Sequence, residues 1–322
     1  MMAVDIDDFC FRMPKCELHA HLNGSISLTT IEKLAAMKAE RDPNYCGLSE
    51  AEKDLLKPTQ RQRSLDEVFR IFPIIQNLIQ QKEELTMVTI EVIGDFKSEN
   101  VVYLELRSTP KTTDMMSKRD YVDAIIEGCK PNSVVVGIEL SGDPKYDGRK
   151  FLPLFADASR AGLSTTLHLA ESRDHLDELY DCLQVNANRI GHGTFIHGNP
   201  DIVQRTKCTD YVLKKRTPIE ICLTSNVVCN TVASYADSHL AFYLSKNHPV
   251  VLCTDDRGVM NCSLWNEFAI AARTFALSRH QLFHLSFTAF KSMFIQGRED
   301  CREEVERIGN ALSRFARLES LT

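Results

Sequence analysis

Leu163-Ser164-Thr165-Thr166-Leu167-His168-Leu169-Ala170-Glu171, followed beyond a helical pattern at 173–186 by Asn188-Arg189-Ile190-Gly191-His192-Gly193-Thr194, is the stretch that decides the fold. Two short apolar runs joined by a helix read as a strand–helix–strand unit, and such a crossover makes the strands parallel. Each strand ends on its own polar signature, His-Leu-Ala-Glu after the first and Gly-His-Gly after the second.

The same alternation extends in both directions. Strands are predicted at 16–22, 101–107, 134–140, 163–169, 188–192, 218–223 and 249–254, with helices at 29–39, 83–100, 118–129, 149–161, 173–186, 200–215 and 236–246. From Leu264 onward the pattern is helical, with amphipathic segments near 264–275, 279–293 and 299–316. Ser64-Leu65-Asp66-Glu67 is a capping box that opens a further helix. Apolar parallel strands covered by helices form either an open doubly wound sheet or a barrel. Neither G-x-G-x-x-G nor G-x-x-x-x-G-K-[ST] is present, which argues against a nucleotide-binding open sheet. Instead, polar groups close nearly every strand: HAHLNG, RSTP, SGDP, HLAE, GHG, TSN and TDD. A TIM barrel assembles its active site from the C-terminal ends of many strands, so an α/β fold of the TIM (β/α) barrel type is expected, with a helical C-terminal tail.

Composition narrows the function. The chain has 322 residues, 43% hydrophobic and 25% charged, and no apolar run approaches the length of a spanning helix. Its acidic start lacks the basic and apolar blocks of a secretory signal, so a cytoplasmic, cytosolic protein is expected. Eleven scattered cysteines without a Cys-x-x-Cys pair indicate free thiols in a reducing compartment. A formal charge of −6 with dispersed basic residues argues against a nucleic-acid polymer as ligand, and no membrane partner is expected.

The chemistry gathers at four strand ends. His19 and His21 lie two apart on a strand, hence on one side, where they can grip one cation. His168 closes another strand with Glu171 three residues on, His192 sits between glycines that would leave its ring exposed in a cavity, and Asp255 and Asp256 are adjacent after Cys253-Thr254. Singly, each has an ordinary reading as a satisfied histidine or a helix cap. Together, three histidines and an aspartate make a site for one divalent transition metal with room for water, and zinc suits it best. A nearby protonated glutamate can then serve as a general acid. Phe69, Phe72 and Gln76 share a helical stripe whose default reading is core, with Gln76 able to face a pocket.

The ordered set His19-Ala20-His21-Leu22-Asn23-Gly24, Ser141-Gly142-Asp143, His168-Leu169-Ala170-Glu171, Gly191-His192-Gly193-Thr194 and Thr254-Asp255-Asp256 resembles the adenosine and AMP deaminase family, and within it the adenosine deaminase-like branch. The match runs from about Pro14 to the end. It implies one Zn2+ per chain on His19, His21, His168 and Asp255, with Glu171 as proton donor to the purine ring and His192 helping to activate water. His21, Gly142 through its backbone, and Asp256 would contact the base. The implied reaction is hydrolysis of an N6-substituted adenine nucleotide, N6-methyl-AMP and water giving IMP and methylamine. A small purine nucleoside monophosphate is thus the expected partner, and the chain is expected to work as a monomer.

The branch has physical support. Adenosine deaminases carry an aspartate where this chain has Asn23, and a neutral amide beside the 5′ position does not repel a phosphate. Arg107, Ser108, Thr109, Pro110 and Lys111 form another strand end whose donors can cradle a monophosphate, although any solvated loop has the same composition. Against the family's eight-stranded barrel only seven strands are recognisable. Between the RSTP and SGDP strands only one helix and Pro131-Asn132-Ser133 intervene. The expectation is therefore a single domain over 1–322 that lacks one βα unit near 130–134. Two rivals remain open: another mononuclear amidohydrolase acting on an amide or ester, and a non-catalytic purine-nucleotide-binding relic. The SGDP strand offers no lysine for a bridging carbamate, which disfavours a binuclear site, and the absence of H-x-E with P-C-x-x-C disfavours the cytidine-deaminase type.

Overall fold

Seven parallel strands carry the architecture: β1 (Lys15–His21), β2 (Val101–Arg107), β3 (Gly137–Leu140), β4 (Ser164–Leu169), β5 (Arg189–His192), β6 (Ile219–Ile221) and β7 (Val250–Leu252). The computed structural model describes residues 5–57, 63–129, 134–199 and 201–321. All seven strands fall where the sequence pattern places them, and helices fill the intervals, three long ones following β7.

The strands form an arc rather than a closed ring. One sheet orders β3-β4-β5-β6-β7, and β1 pairs with β2. The two are joined beyond β7, where Asp255 N donates to His19 O at 2.8 Å and His21 N donates to Asp255 O at 2.9 Å. Among the described residues, no ladder joins β2 to β3. Side chains span that seam instead, with the Arg107 guanidinium paired to Glu139. The expected gap at 130–134 lies largely on residues 130–133, outside the described residues.

Boundaries differ from the sequence reading where pairing or competition decides. β3 begins at Gly137 opposite Ser164, because Val134 and Val135, 47% and 54% exposed, have no neighbouring strand to bond. The expected strand at 218–223 stops at Ile221, and Leu223–Val228 is a helix, so the TSN signature lies on its first turns. The helix expected at 173–186 is shorter, a 3-10 turn Leu176–Glu178 running into Leu179–Leu183.

Two buried charges lock the strand that carries His19 and His21. Lys15 Nζ donates to the carbonyls of Cys10, Phe11 and Met13 at 2.8, 3.1 and 2.6 Å, satisfying the end of the helix Ile6–Arg12. Glu17 accepts from His19 N, Thr254 N and Thr254 Oγ1 at 2.8, 2.9 and 2.8 Å, which fixes the register of β1 against the segment after β7. Leu18 and Cys16 on the same strand pack with Val251, Cys253, Met293, Ile308 and Leu312, so the C-terminal helices cover its other face. Each such buried aliphatic side chain contributes roughly 1.5–3 kcal/mol.

Candidate active site

Strain marks the strand ends before any side chain is considered. Ala170, His192 and Asp255 have φ of 50°, 57° and 65°, a left-handed conformation that costs a non-glycine residue about 1–3 kcal/mol. All three sit at or just beyond the C-terminal end of a strand. The rings of His19, His21, His168 and His192 gather there, with centroids 4.6 Å apart for His19–His168 and 4.9 Å for His168–His192. Gly191 is what permits the crowding. A Cβ there would meet His19 Cε1 at 3.1 Å and His168 Nδ1 at 3.3 Å. The glycines around His192 therefore do not open it to a cavity as the sequence suggested; its ring is fully buried, and Gly191 makes room for the neighbouring imidazoles.

The donor atoms converge. His21 Nε2 lies 3.3 Å from His168 Nε2, and Asp255 Oδ1 lies 3.3 Å from His19 Nε2 and 3.2 Å from His21 Nε2. Donors about 2.0–2.1 Å from one tetrahedral cation stand about 3.3 Å apart, which is the separation of these three pairs. His19 Nε2 and both His192 nitrogens are buried without a hydrogen-bond partner, as expected of atoms that face a ligand. Two further carboxylates, unmarked in the sequence reading, join the cluster. Glu220 Oε2 stands 2.8 Å from His19 Nδ1 and Glu139 Oε1 stands 3.0 Å from His168 Nδ1. The groups able to hold a cation are thus His19, His21, Glu139 and His168, and His19, His168, His192 and Asp255. Ser225 from the TSN helix donates to Asp255 Oδ2 at 2.7 Å.

The electrostatics separate acids from bases. Burial opposes ionisation of Asp255, yet the imidazoles of His19 and His21 beside its Oδ1 hold its carboxyl well below the usual range. Burial, reinforced by the adjacent Asp255 charge, pushes Glu171 up to about 8 and Asp256 up to about 7. Burial also holds His192 well below an ordinary imidazole, hence neutral. Its Nε2 lies 3.9 Å from both Glu171 Oε1 and Asp255 Oδ2. A protonated carboxylic acid, a neutral imidazole and an ionised carboxylate around one point are the parts needed for hydrolysis with proton transfer.

A cavity of about 350 Å3 is lined by Asn23, two residues after His21, and by Gln76, Gln80, Lys111, Tyr121 and neighbours. Gln76 does face a pocket. Ser108 Oγ stands 2.8 Å from Tyr121 OH, and Asn23 Nδ2 donates to that hydroxyl at 3.5 Å. Lys111 is half-buried, which lowers its pKa, and has no ion pair among the described residues. Arg107 is elsewhere. Its buried guanidinium points into the barrel, donating to Leu18 O at 2.6 Å and pairing with Glu139 and Glu220, so it does not stand with the phosphate-cradling donors as the strand-end reading suggested. Thr109 and Pro110 are not in the cavity wall, and Gly142 is exposed, with no atom within 4 Å of where a Cβ would stand. Tyr121 escapes a reading of the sequence because a single aromatic on an amphipathic helix reads as core.

Known proteins resemble this chain along most of its length. The sequence model of the family described as Adenosine deaminase matches residues 14–140 and 129–308. The N6-methyl-AMP deaminase of Danio rerio is 37% identical over 91% of this chain and 94% of its own length, and that of Homo sapiens 35% over 95% of each. The apo structure of the N6-methyl-AMP deaminase from Arabidopsis thaliana superposes with a TM-score of 0.82 at 32% identity, covering 96% of this chain and 98% of that one. The Arabidopsis protein complexed with IMP gives 0.83 at 32% identity over 96% and 99%. With the family matched across both sheets, the chain belongs to the adenosine deaminase family and is a hydrolytic deaminase.

Proposed function

We propose that the chain is a zinc-dependent deaminase of N6-substituted adenine nucleotides, converting N6-methyl-AMP and water to IMP and methylamine. One observation carries the reading: a buried imidazole–carboxylate centre with a protonated Glu171 is joined, through Asn23 two residues after His21, to a cavity also walled by Lys111, which has no ion pair among the described residues. Relatives named N6-methyl-AMP deaminase, and structures of the Arabidopsis relative with IMP and with GMP, support a purine nucleotide as the ligand.

His19, His21, His168 and Asp255 would hold one zinc per chain. When bound, zinc supplies the Lewis acidity that makes water a nucleophile near neutral pH. Glu171, kept protonated by burial, donates its proton to the ring nitrogen next to C6, so that electron density from C6 has somewhere to go. His192, kept neutral, accepts a proton from the attacking water at Nε2. Asp256 has a buried Oδ1 without a protein partner, and its raised carboxyl can donate to the purine's other ring nitrogens. We assign the 5′-phosphate to the cavity wall at Gln76 and Lys111, with Ser108 behind it on the Tyr121 hydroxyl, and the base to His21 and the backbone of Gly142; Thr109 and Pro110, outside the wall, are not assigned a contact.

Asn23 is the residue we assign to phosphate tolerance. The test is kcat/KM for N6-methyl-AMP and N6-methyladenosine in the parent and in Asn23→Asp. A carboxylate within reach of a phosphate costs about 1–4 kcal/mol, so the mutant narrows the preference about 5- to 1000-fold at about 1.4 kcal/mol per decade. An unchanged preference would place the phosphate elsewhere.

We also read the chain as one barrel domain that lacks a βα unit between β2 and β3. Support comes from the unpaired edges of those strands and from a family match that restarts within 129–140. No described helix is long and apolar enough to cross a membrane. Eleven free cysteines suit a reducing cytosol, and we read the chain as a monomer.

A further inference from the structure

We propose that Arg107 is a positioning residue for the metal centre, its one guanidinium joining the two carboxylates that orient His19 and His168. The inference rests on the reading of those two histidines as ligands. His19 Nδ1 is hydrogen-bonded to Glu220 Oε2 at 2.8 Å with both side chains fully buried, and His168 Nδ1 has Glu139 Oε1 as an ion-pair neighbour at 3.0 Å, within reach of a hydrogen bond but not aligned for one. An imidazole that keeps its proton on Nδ1, held by a carboxylate, presents the Nε2 lone pair to a cation with its ring plane fixed.

The two carboxylates come from strands that do not touch, Glu220 from β6 and Glu139 from β3. Arg107, on β2, reaches both. Its Nη1 pairs with Glu139 Oε1, and its Nη2 pairs with Glu220 Oε1 at 2.7 Å and donates to Leu18 O at 2.6 Å. Leu18 precedes His19, so the third contact holds the backbone that carries two of the histidines. The planar fork of an arginine can serve three acceptors at once, whereas a lysine is a point donor. Arg189 is as deeply buried, but its contacts are Glu220, Glu105, Leu18 O and Ser292 O, so among the described residues Arg107 alone joins the two orienting carboxylates.

The seam makes this bridge consequential. β3 has β4 as its sheet partner on one side and no ladder to β2 on the other. Glu139 is therefore placed from the β2 side by the guanidinium and not by backbone pairing. Without it, Glu139 keeps its imidazole neighbours but loses the contact that fixes its distance from Glu220.

The test uses the full chain, stripped of metal and titrated with Zn2+ against a chromophoric chelator, with the visible spectrum of the Co2+ form reporting coordination geometry. Arg107→Lys keeps the charge and loses the fork. The expected result is a 10- to 100-fold fall in Zn2+ affinity, the range seen when groups behind metal ligands are removed, with an altered Co2+ spectrum. A purely structural role would lower the melting temperature of the metal-free chain and leave Zn2+ affinity at the parent value, and that result overturns the proposal. Glu139→Gln removes one arm alone. It should weaken Zn2+ similarly, and the double variant should be less than additive because both changes break one bridge. Should Arg107→Lys not fold, parent-like Zn2+ affinity in folded Glu139→Gln overturns the proposal by itself. His168→Ala, titrated alongside, separates the two readings. Retained Zn2+ there refutes the ligand assignment, whereas Zn2+ lost there but kept in Arg107→Lys refutes only the role of Arg107.

Discussion

Gly24→Ala adds one methyl group where the site has no room for it. A Cβ on residue 24 stands 1.6 Å from Asp256 Oδ1, 2.3 Å from Cγ and 2.6 Å from Cβ. Rotating the Asp256 side chain relieves the first two contacts but leaves Cβ too close, so the backbones must part by several tenths of an ångström. They are tied together, since Gly258 N and Val259 N both donate to Gly24 O at 2.9 and 3.0 Å. Asp256 is thus turned or pushed away from the purine. A hydrogen bond involving a group that can ionise contributes about 1.5–3 kcal/mol, equivalent to about a 10- to 150-fold fall in kcat/KM. Overpacking destabilises the fold by a further 1–3 kcal/mol or so, visible as a melting temperature lower by several degrees. Metal content should stay at the parent level, because Asp255 is held by its own backbone bonds to His19 and His21. The assay is kcat/KM for N6-methyl-AMP with metal content measured on the same sample. Parent activity at full metal occupancy would show that Asp256 does not hold the base.

Other variants probe the remaining groups. His168→Ala should lose the metal, because neutral imidazoles supply much of the affinity, and elemental analysis that still finds one ion per chain would remove His168 from the ligand set. Glu171→Gln should keep the metal and lose about a hundredfold or more in kcat. The sign of the pH dependence follows from the raised carboxyl: the acid form is present below about 8 and lost above it, so parent kcat falls as pH rises through that value, while a profile flat from neutrality into the alkaline range would contradict Glu171 as the acid. Lys111→Met should raise KM for N6-methyl-AMP about tenfold or more, the effect of one charged hydrogen bond, and leave N6-methyladenosine unaffected; equal effects on both would take Lys111 away from the phosphate.

Local pattern makes the scaffold legible. Period-two apolar runs locate all seven strands, and His19, His21, His168 and Asp255 stand out because each closes a strand with a residue that an apolar strand does not need. What stays hidden depends on strand order. Glu220 is 201 positions from His19, and nothing local announces that β6 stands only one strand, β7, away from β1. Arg107 looks like a surface donor because it ends a strand beside Ser108 and Thr109. Alternation holds the correction: Glu105 and Arg107 share a face of β2, and Arg189, Glu139 and Glu220 are likewise charges inside strands that a parallel sheet normally fills with Val, Ile and Leu. Charged residues repeated at inward positions of several strands therefore mark an interior ion network. The short strand β6 reads too long in sequence because Cys222-Leu223 is apolar in either conformation, and the helix that follows wins the competition by letting Ser225 reach Asp255.

The most direct measurement supplies the chain, loaded with Zn2+, with N6-methyl-AMP and quantifies IMP and methylamine together. The expected result is equal amounts of both products, dependent on metal and abolished or nearly so in Glu171→Gln, with N6-methyladenosine turned over more slowly. Metal-saturated protein that binds N6-methyl-AMP and returns it unchanged would contradict the assignment, leaving a nucleotide-binding barrel without catalysis.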